Sequence, residues 1–233
     1  MTATDPVQEL LAGLRQDLAP IEAQLRHHPY VQAVEAGQLP RPALRRFAGE
    51  QFHILTSDLR SVGLLVSRFG DSAPGRAFFL GVLQGEQAAR TALEAFARAL
   101  GLSPAELAAW EPLPGAHAYT AYMAWLACYG SAAAVAAACL VNFPAWGTLC
   151  GRLSQALQAH YGLMPADVAF FDLFATPPPD FEAQALAVIR HDLACGADPR
   201  LARRAARLLQ GYELLYWDTL WAARTDAASS RSA

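Results

Sequence analysis

No lysine occurs in this chain; all 18 of its basic residues are arginine. Schiff-base catalysis, a pyridoxal-phosphate lysine and a P-loop lysine each need a side-chain primary amine, so those chemistries are excluded. Cysteine is scarce. Cys128, Cys139, Cys150 and Cys195 form no C-x-x-C pair, which leaves out a zinc knuckle and a thioredoxin-type motif. Cys139 and Cys150 share one predicted helix, where their separation spans about 16 Å, too far for a disulfide. Reduced, buried thiols in a cytoplasmic protein are expected. Charge is thin as well: 17% of residues are charged, the formal net charge is -3 and the sequence pI is near 6.1. Neither nucleic acid nor a membrane is an expected partner. Met1 to Asp5 shows no basic and apolar leader pattern, so no signal peptide is expected. The most apolar run, Ala132 to Val141, is mostly alanine and too short to span a bilayer. No G-x-S-x-G elbow occurs, and no cysteine has a neighbouring base in sequence, so nucleophilic catalysis has little support.

Helical periodicity fills what remains, without strand alternation. With 54% hydrophobic residues over 233 positions, the chain can bury one large core. Asp5-Pro6 predicts a capped helix start, and that helix runs to about Arg26. A short helix follows His28-Pro29. Pro42 opens a long helix to Gly70, and the next, entered through Asp71 to Pro74, closes at Gly101. Ser103-Pro104-Ala105-Glu106 is a capping box. Further helices are predicted from Pro114 to Gly130, from Ser131 to Gly162 with a kink at Pro144, and from Ala166 to Phe174. Pro177-Pro178-Pro179 forces extended backbone, after which Asp180 caps one helix and Asp198-Pro199 opens the last. The expectation is a single all-α domain of roughly eight to ten helices over residues 1–225, with a frayed tail at 226–233.

The run Gly49-Glu50-Gln51-Phe52-His53 lies inside the long helix, where three-residue spacing puts Glu50 and His53 on one face. Such a pair suits half of a di-metal site or an acid/base pair in a small-molecule pocket. Glu86 on the following helix supplies a third possible ligand for iron or manganese. A second E-x-x-H pair is missing, and His117 is the one other histidine placed to reach inward. Glu213, in Tyr212-Glu213-Leu214-Leu215-Tyr216-Trp217, is either solvated beside core aromatics or buried with a raised pKa that suits a general acid or base. Tyr119 and Tyr122, one turn apart, either line the same pocket or simply pack. Arg200, Arg203, Arg204 and Arg207 read as a solvated face.

Several blocks, in order, resemble the TenA/PqqC family, whose fold is haem-oxygenase-like. They are His28-Pro29-Tyr30-Val31, Gly37 to Pro40, the Glu50 block, Ala118 to Met123, Gly130-Ser131, Phe143 to Trp146 and Glu213 to Asp218. The resemblance covers about Leu10 to Trp221. It implies a cysteine-independent hydrolase of the thiaminase II type, acting on an aminopyrimidine in thiamin salvage. The family's Pro-Cys step reads Pro144-Ala145 here and its Gln-Asp step reads Glu50-Gln51, so the cysteine nucleophile is missing. On this reading Glu213 is the general acid/base and Glu50 or Gln51 holds the amino edge of the substrate. Tyr119 and Tyr122 orient it, with His53 and Glu86 nearby. No cofactor is expected, and a dimer or tetramer is.

The resemblance extends to a branch of di-metal oxidases that use Glu and His on the early helices, where Glu50, His53 and Glu86 could supply the early ligands. Their late H-x-x-x-D-x-x-H helix has no counterpart between Phe170 and Glu182, which holds no histidine and is broken by prolines. A third class is a member that binds a small heterocycle without turnover.

Overall fold

Proline and short polar caps punctuate the chain where the sequence predicts they should. The structure, a computed structural model, describes residues 6–225. The Asp5 cap and the tail at 226–233 lie outside those residues. In chain order the helices are α1 (Pro6–Arg26), α2 (Pro29–Glu35), α3 (Arg41–Phe69), α4 (Ala73–Ala99), α5 (Pro104–Ala108), α6 (Pro114–Tyr129) and α7 (Ala132–Tyr161). After them come α8 (Ala169–Ala175), α9 (Phe181–Ala194) and α10 (Pro199–Ala222). Among the described residues there is no strand.

The caps are local chemistry. Hydroxyls of Ser72, Ser103 and Ser131 accept the first free amides of α4, α5 and α7, and Asp198 does the same for α10. His28 caps α2 by accepting the Tyr30 amide through Nδ1 at 3.2 Å. Asp180 precedes α9 but makes no cap bond; its carboxylate is taken by the Gln184 side chain instead. The helix expected over Ala166 to Phe174 is a 3-10 turn at Pro165–Asp167 followed by α8, because Asp167 accepts the Met164 amide and closes the turn first.

Helix α7 is the axis of the bundle, packed on α10, α8, α9 and α2, while α3 pairs with α4 and α6. It runs through Pro144 without ending. Its most apolar 18-residue window has a mean hydropathy of 1.5, enough by length and composition to cross a membrane, and 67% of that window is buried inside the protein. The surrounding helices account for that apolarity, as for any central core helix.

Two apolar clusters flank α7. One is aromatic: Phe47 lies parallel to Trp146, with centroids 6.3 Å apart and planes 2° apart, and also meets Phe171 and Trp217. The other uses the alanines of α7 with Leu10, Leu14 and Leu18 of α1 and Leu209 of α10. Small residues let helices approach closely there. Cys139 and Cys150 are buried on α7, but Cys128 and Cys195 are exposed, against the expectation of buried thiols, because they lie near the ends of α6 and α9.

Candidate functional site

Where the two clusters meet, polar side chains from five helices enclose a chamber of about 40 Å³. Gln51, Ile54, Leu55 and Asp58 come from α3, Glu86 from α4, Tyr119 from α6, Asn142, Phe143 and Trp146 from α7, and Glu213 and Tyr216 from α10; Phe174 of α8 adds a wall. Helical spacing delivers the α3 set, since residues at i, i+3, i+4 and i+7 share a face.

Glu213 is 2% exposed and held at both oxygens. Asn142 Nδ2 donates to Oε2 at 2.5 Å, and the Trp217 indole N–H donates to Oε1 at 3.4 Å. The same Asn142 amide donates to Gln210 Oε1 at 3.0 Å, while its oxygen accepts the Tyr119 hydroxyl at 2.9 Å. Both amide hydrogens and the carbonyl of Asn142 are therefore engaged. Burial pushes the Glu213 pKa up to about 8, against the opposing pull of the Trp217 and Asn142 donors. Such a carboxyl can give a proton near neutrality and take one back.

Across the chamber, Asp58 and Glu86 form a second acidic face. Both are buried, and Asp58 Oδ1 has no hydrogen-bond partner. Burial raises the proton affinity of both, and the nearby Glu86 charge raises that of Asp58 further. Two carboxyls in one dry site cannot both ionise cheaply. Tyr119 lies under the influence of both faces; burial raises its pKa first, then the charges of Asp58 and Glu213.

The expected site residues separate into two groups. Gln51, Glu86, Tyr119 and Glu213 converge on the chamber, where Gln51 Nε2 donates to the Tyr216 hydroxyl at 2.9 Å. Glu50, His53 and Tyr122 lie elsewhere. Glu50 turns away from the chamber and accepts the Trp110 indole N–H at 3.2 Å and the Leu113 amide at 3.1 Å, so it fastens the segment between α5 and α6 onto α3. Gly49 serves the same seat: a Cβ there would lie 2.1 Å from the Trp110 ring. His53 reaches outward to His117, with Nε2 and Nδ1 2.9 Å apart. Its pKa is lowered by burial and then by the His117 charge. Tyr122 stacks on Trp125 and meets Tyr212 at a tilt, and Trp125 in turn meets the exposed Tyr129.

The set Glu50, His53 and Glu86 therefore does not assemble. Among the described residues no group of three or more His, Cys, Asp or Glu side chains is placed to hold a metal ion. The physical reason is the loop at Trp110, which occupies the carboxylate of Glu50 and leaves the two histidines to pair at the surface.

Asp58, Asn142 and Gln210 were not anticipated. Asp58 carried a readable signal, an acid at the i+7 core position counted from Gln51; Asn142 was a lone amide in an apolar helix. A second, larger groove of about 510 Å³ lies outside the chamber, and Glu86, Phe143 and Phe174 line both. These three side chains form the partition between them. Phe174 is braced from behind, because a Cβ at Gly147 would lie 2.3 Å from the Phe174 carbonyl oxygen.

The sequence profile of the TENA/THI-4/PQQC family matches residues 15–172. A TenA homolog from Pseudomonas syringae pv. tomato str. DC3000 superposes with a TM-score of 0.78 at 15% identity, over 91% of this chain and 93% of that one. A TenA homologue from P. horikoshii OT3 gives 0.74 at 18% identity, over 91% and 98%. A domain of unknown function with a heme oxygenase-like fold from Shewanella denitrificans OS217 gives 0.75 at 16% identity, over 96% and 98%. At these identities the likeness establishes the haem-oxygenase-like fold. No curated protein matches the sequence.

Proposed function

The chain belongs to the TENA/THI-4/PQQC family, and from that premise we propose that it is a cysteine-independent hydrolase acting on an aminopyrimidine of the thiamin-salvage type. The observation that carries the reading is Glu213: a buried carboxyl, tethered at both oxygens beside Tyr119 and Gln51 on one chamber, with burial pushing its pKa up to about 8. No cysteine lines that chamber, and Ala145 follows Pro144 where the resemblance expects the nucleophile.

The chemistry asks little of the protein beyond one acid/base and a fixed pose. Neutral Glu213 donates its proton to the departing substrate nitrogen as the carbon–nitrogen bond breaks. Water adds its hydroxyl to that carbon and returns its proton to Glu213, which restores the starting state. Asn142 and Trp217 favour the transient carboxylate, and the Tyr119 hydroxyl steadies Asn142. The chamber is narrow beside the adjoining groove of about 510 Å³, and Phe143 and Phe174 line both, so the proposed path of the ring runs past those two side chains. The test is hydrolysis of thiamin and simple aminopyrimidines by the purified protein, followed by chromatography of the products. Turnover that disappears in Glu213→Gln supports the reading, and equal turnover in that variant overturns it.

A further inference from the structure

The Glu213 mechanism uses one face of the chamber and leaves the other without a task. Asp58 and Glu86 are buried, 5% and 7% exposed, and Asp58 Oδ1 meets no donor from the protein. A buried acceptor left open costs free energy unless something else fills it. The groups around it supply no cation. The chamber wall offers Tyr119 from α6 and Glu213 from α10; behind it lies the buried Cys139 thiol of α7, whose proton is held more tightly by burial and by Glu86 and Asp58. No arginine or histidine lines the chamber. Arg90, one turn along α4 from Glu86, places its guanidinium over the Phe52 ring instead.

Size adds a second constraint. A space of about 40 Å³ admits an amino group or a few waters, whereas the groove beyond the Glu86–Phe143–Phe174 partition holds about 510 Å³. That groove is walled by Phe78, Val82, Phe143, Leu173 and Phe181. One ligand filling both spaces has a small polar head and an apolar body.

We infer that the site is built for an amphipathic amine or amidine, whose cationic head seats between Asp58 and Glu86 and whose apolar body lies in the groove outside Phe143 and Phe174. This inference rests on the chamber being the substrate site and names the feature its substrates share, a basic nitrogen. Asp58 and Glu86 are specificity-determining residues, because they match positive charge and repel carboxylates and phosphates. Burial raises the proton affinity of both carboxyls, and the Glu86 charge raises that of Asp58 further, so seating a cation between them displaces a proton from the pair. Affinity for an amine that stays charged therefore rises as pH climbs through neutrality and falls toward pH 5.

Isothermal titration calorimetry with straight-chain alkylamines from propylamine to hexylamine, each against its alkanol, tests this on the unmodified protein. The amine binds at least tenfold tighter than the alkanol, and each added methylene strengthens binding about fourfold. Asp58→Asn and Glu86→Gln each remove the preference for amine, with circular dichroism confirming their fold. Equal binding of hexylamine and hexanol overturns the role of the acidic pair, and an affinity that ignores chain length overturns the role of the groove. The outcomes separate from those of the hydrolase: amine binding without aminopyrimidine turnover leaves this inference standing and removes the catalytic reading. Turnover without amine preference does the reverse.

Discussion

Glu50 and Glu213 invite comparison because they look alike. Each is a glutamate inside a long helix, 1% and 2% exposed respectively, and each accepts the indole N–H of a tryptophan. Their second partners differ. Glu50 meets the Leu113 backbone amide, which has one position and one proton, and the contact pins a loop. Glu213 meets the Asn142 side chain, which passes its hydrogen bonding on to Gln210 and Tyr119, and it opens on a cavity. Burial raises the proton affinity of both. What a buried carboxyl can do is decided by whether anything can come next to it.

The sharpest way to break this comparison is to neutralise each glutamate in turn. Glu213→Gln should lower kcat by about 10²–10⁴-fold with the fold kept, the usual range for removing a general acid or base. Glu50→Gln should leave kcat within about threefold. Steady-state assays with circular dichroism decide it, and an equal loss in both variants would erase the distinction.

Stability should move the other way. Glu50→Ala leaves the Trp110 and Leu113 donors unmatched and should lower the unfolding free energy by about 2–4 kcal/mol in urea titrations. Gly49→Ala should act similarly by unseating Trp110, whose ring would meet the new Cβ. Glu213→Gln should cost less, about 1–2 kcal/mol: the amide oxygen can keep the short bond from Asn142, while the amide NH2 replaces only the acceptor of the long 3.4 Å bond from Trp217.

Proton linkage sharpens the contrast further. The Glu213 pKa is raised in the fold, from 4.5 to about 8, so the native state binds the extra proton. Its contribution is fully present below the unfolded value and is lost as pH rises toward 8. Denaturation curves between pH 5 and 8 should therefore show falling stability in the wild type and a flatter profile in Glu213→Gln. Asn142→Ala removes a donor that favours the carboxylate, so the Glu213 limb of the pH–rate profile should move to higher pH. The smallest effect belongs to His53→Ala, within about 0.5 kcal/mol of wild type and without change in turnover, as for a surface substitution.

Much of the fold was legible because its signals are local. Ser72, Ser103, Ser131 and Asp198 each cap a helix through an amide within three residues, and prolines mark the first turns. Asp180 escaped that logic because Gln184 competes for the same carboxylate. The site was half legible. Gln51, Glu86, Tyr119 and Glu213 could be named from helix faces and the family resemblance, but the face shared by Glu50 and His53 carries no depth. Trp110, sixty positions along the chain from Glu50, decides that the carboxylate is tied down, and no periodicity announces such a contact. Asp58 sits at a core position of the α3 stripe, which is a readable sign of burial, but its partner is not readable: only the packing of α4 brings Glu86 beside it.

Gly147 has a consequence of another kind. The backbone of α8 rests against it, so the position of Phe174 is set by the absence of one methyl group on α7. A residue of any larger size would press on the Phe174 carbonyl and shift the partition between groove and chamber without altering any of the chamber's polar side chains. On the proposed function, the rate at which a substrate enters is thus set separately from the strength with which it is held. Selection among rival compounds can then be retuned at the doorway, one carbon at a time, while the acids inside stay as they are.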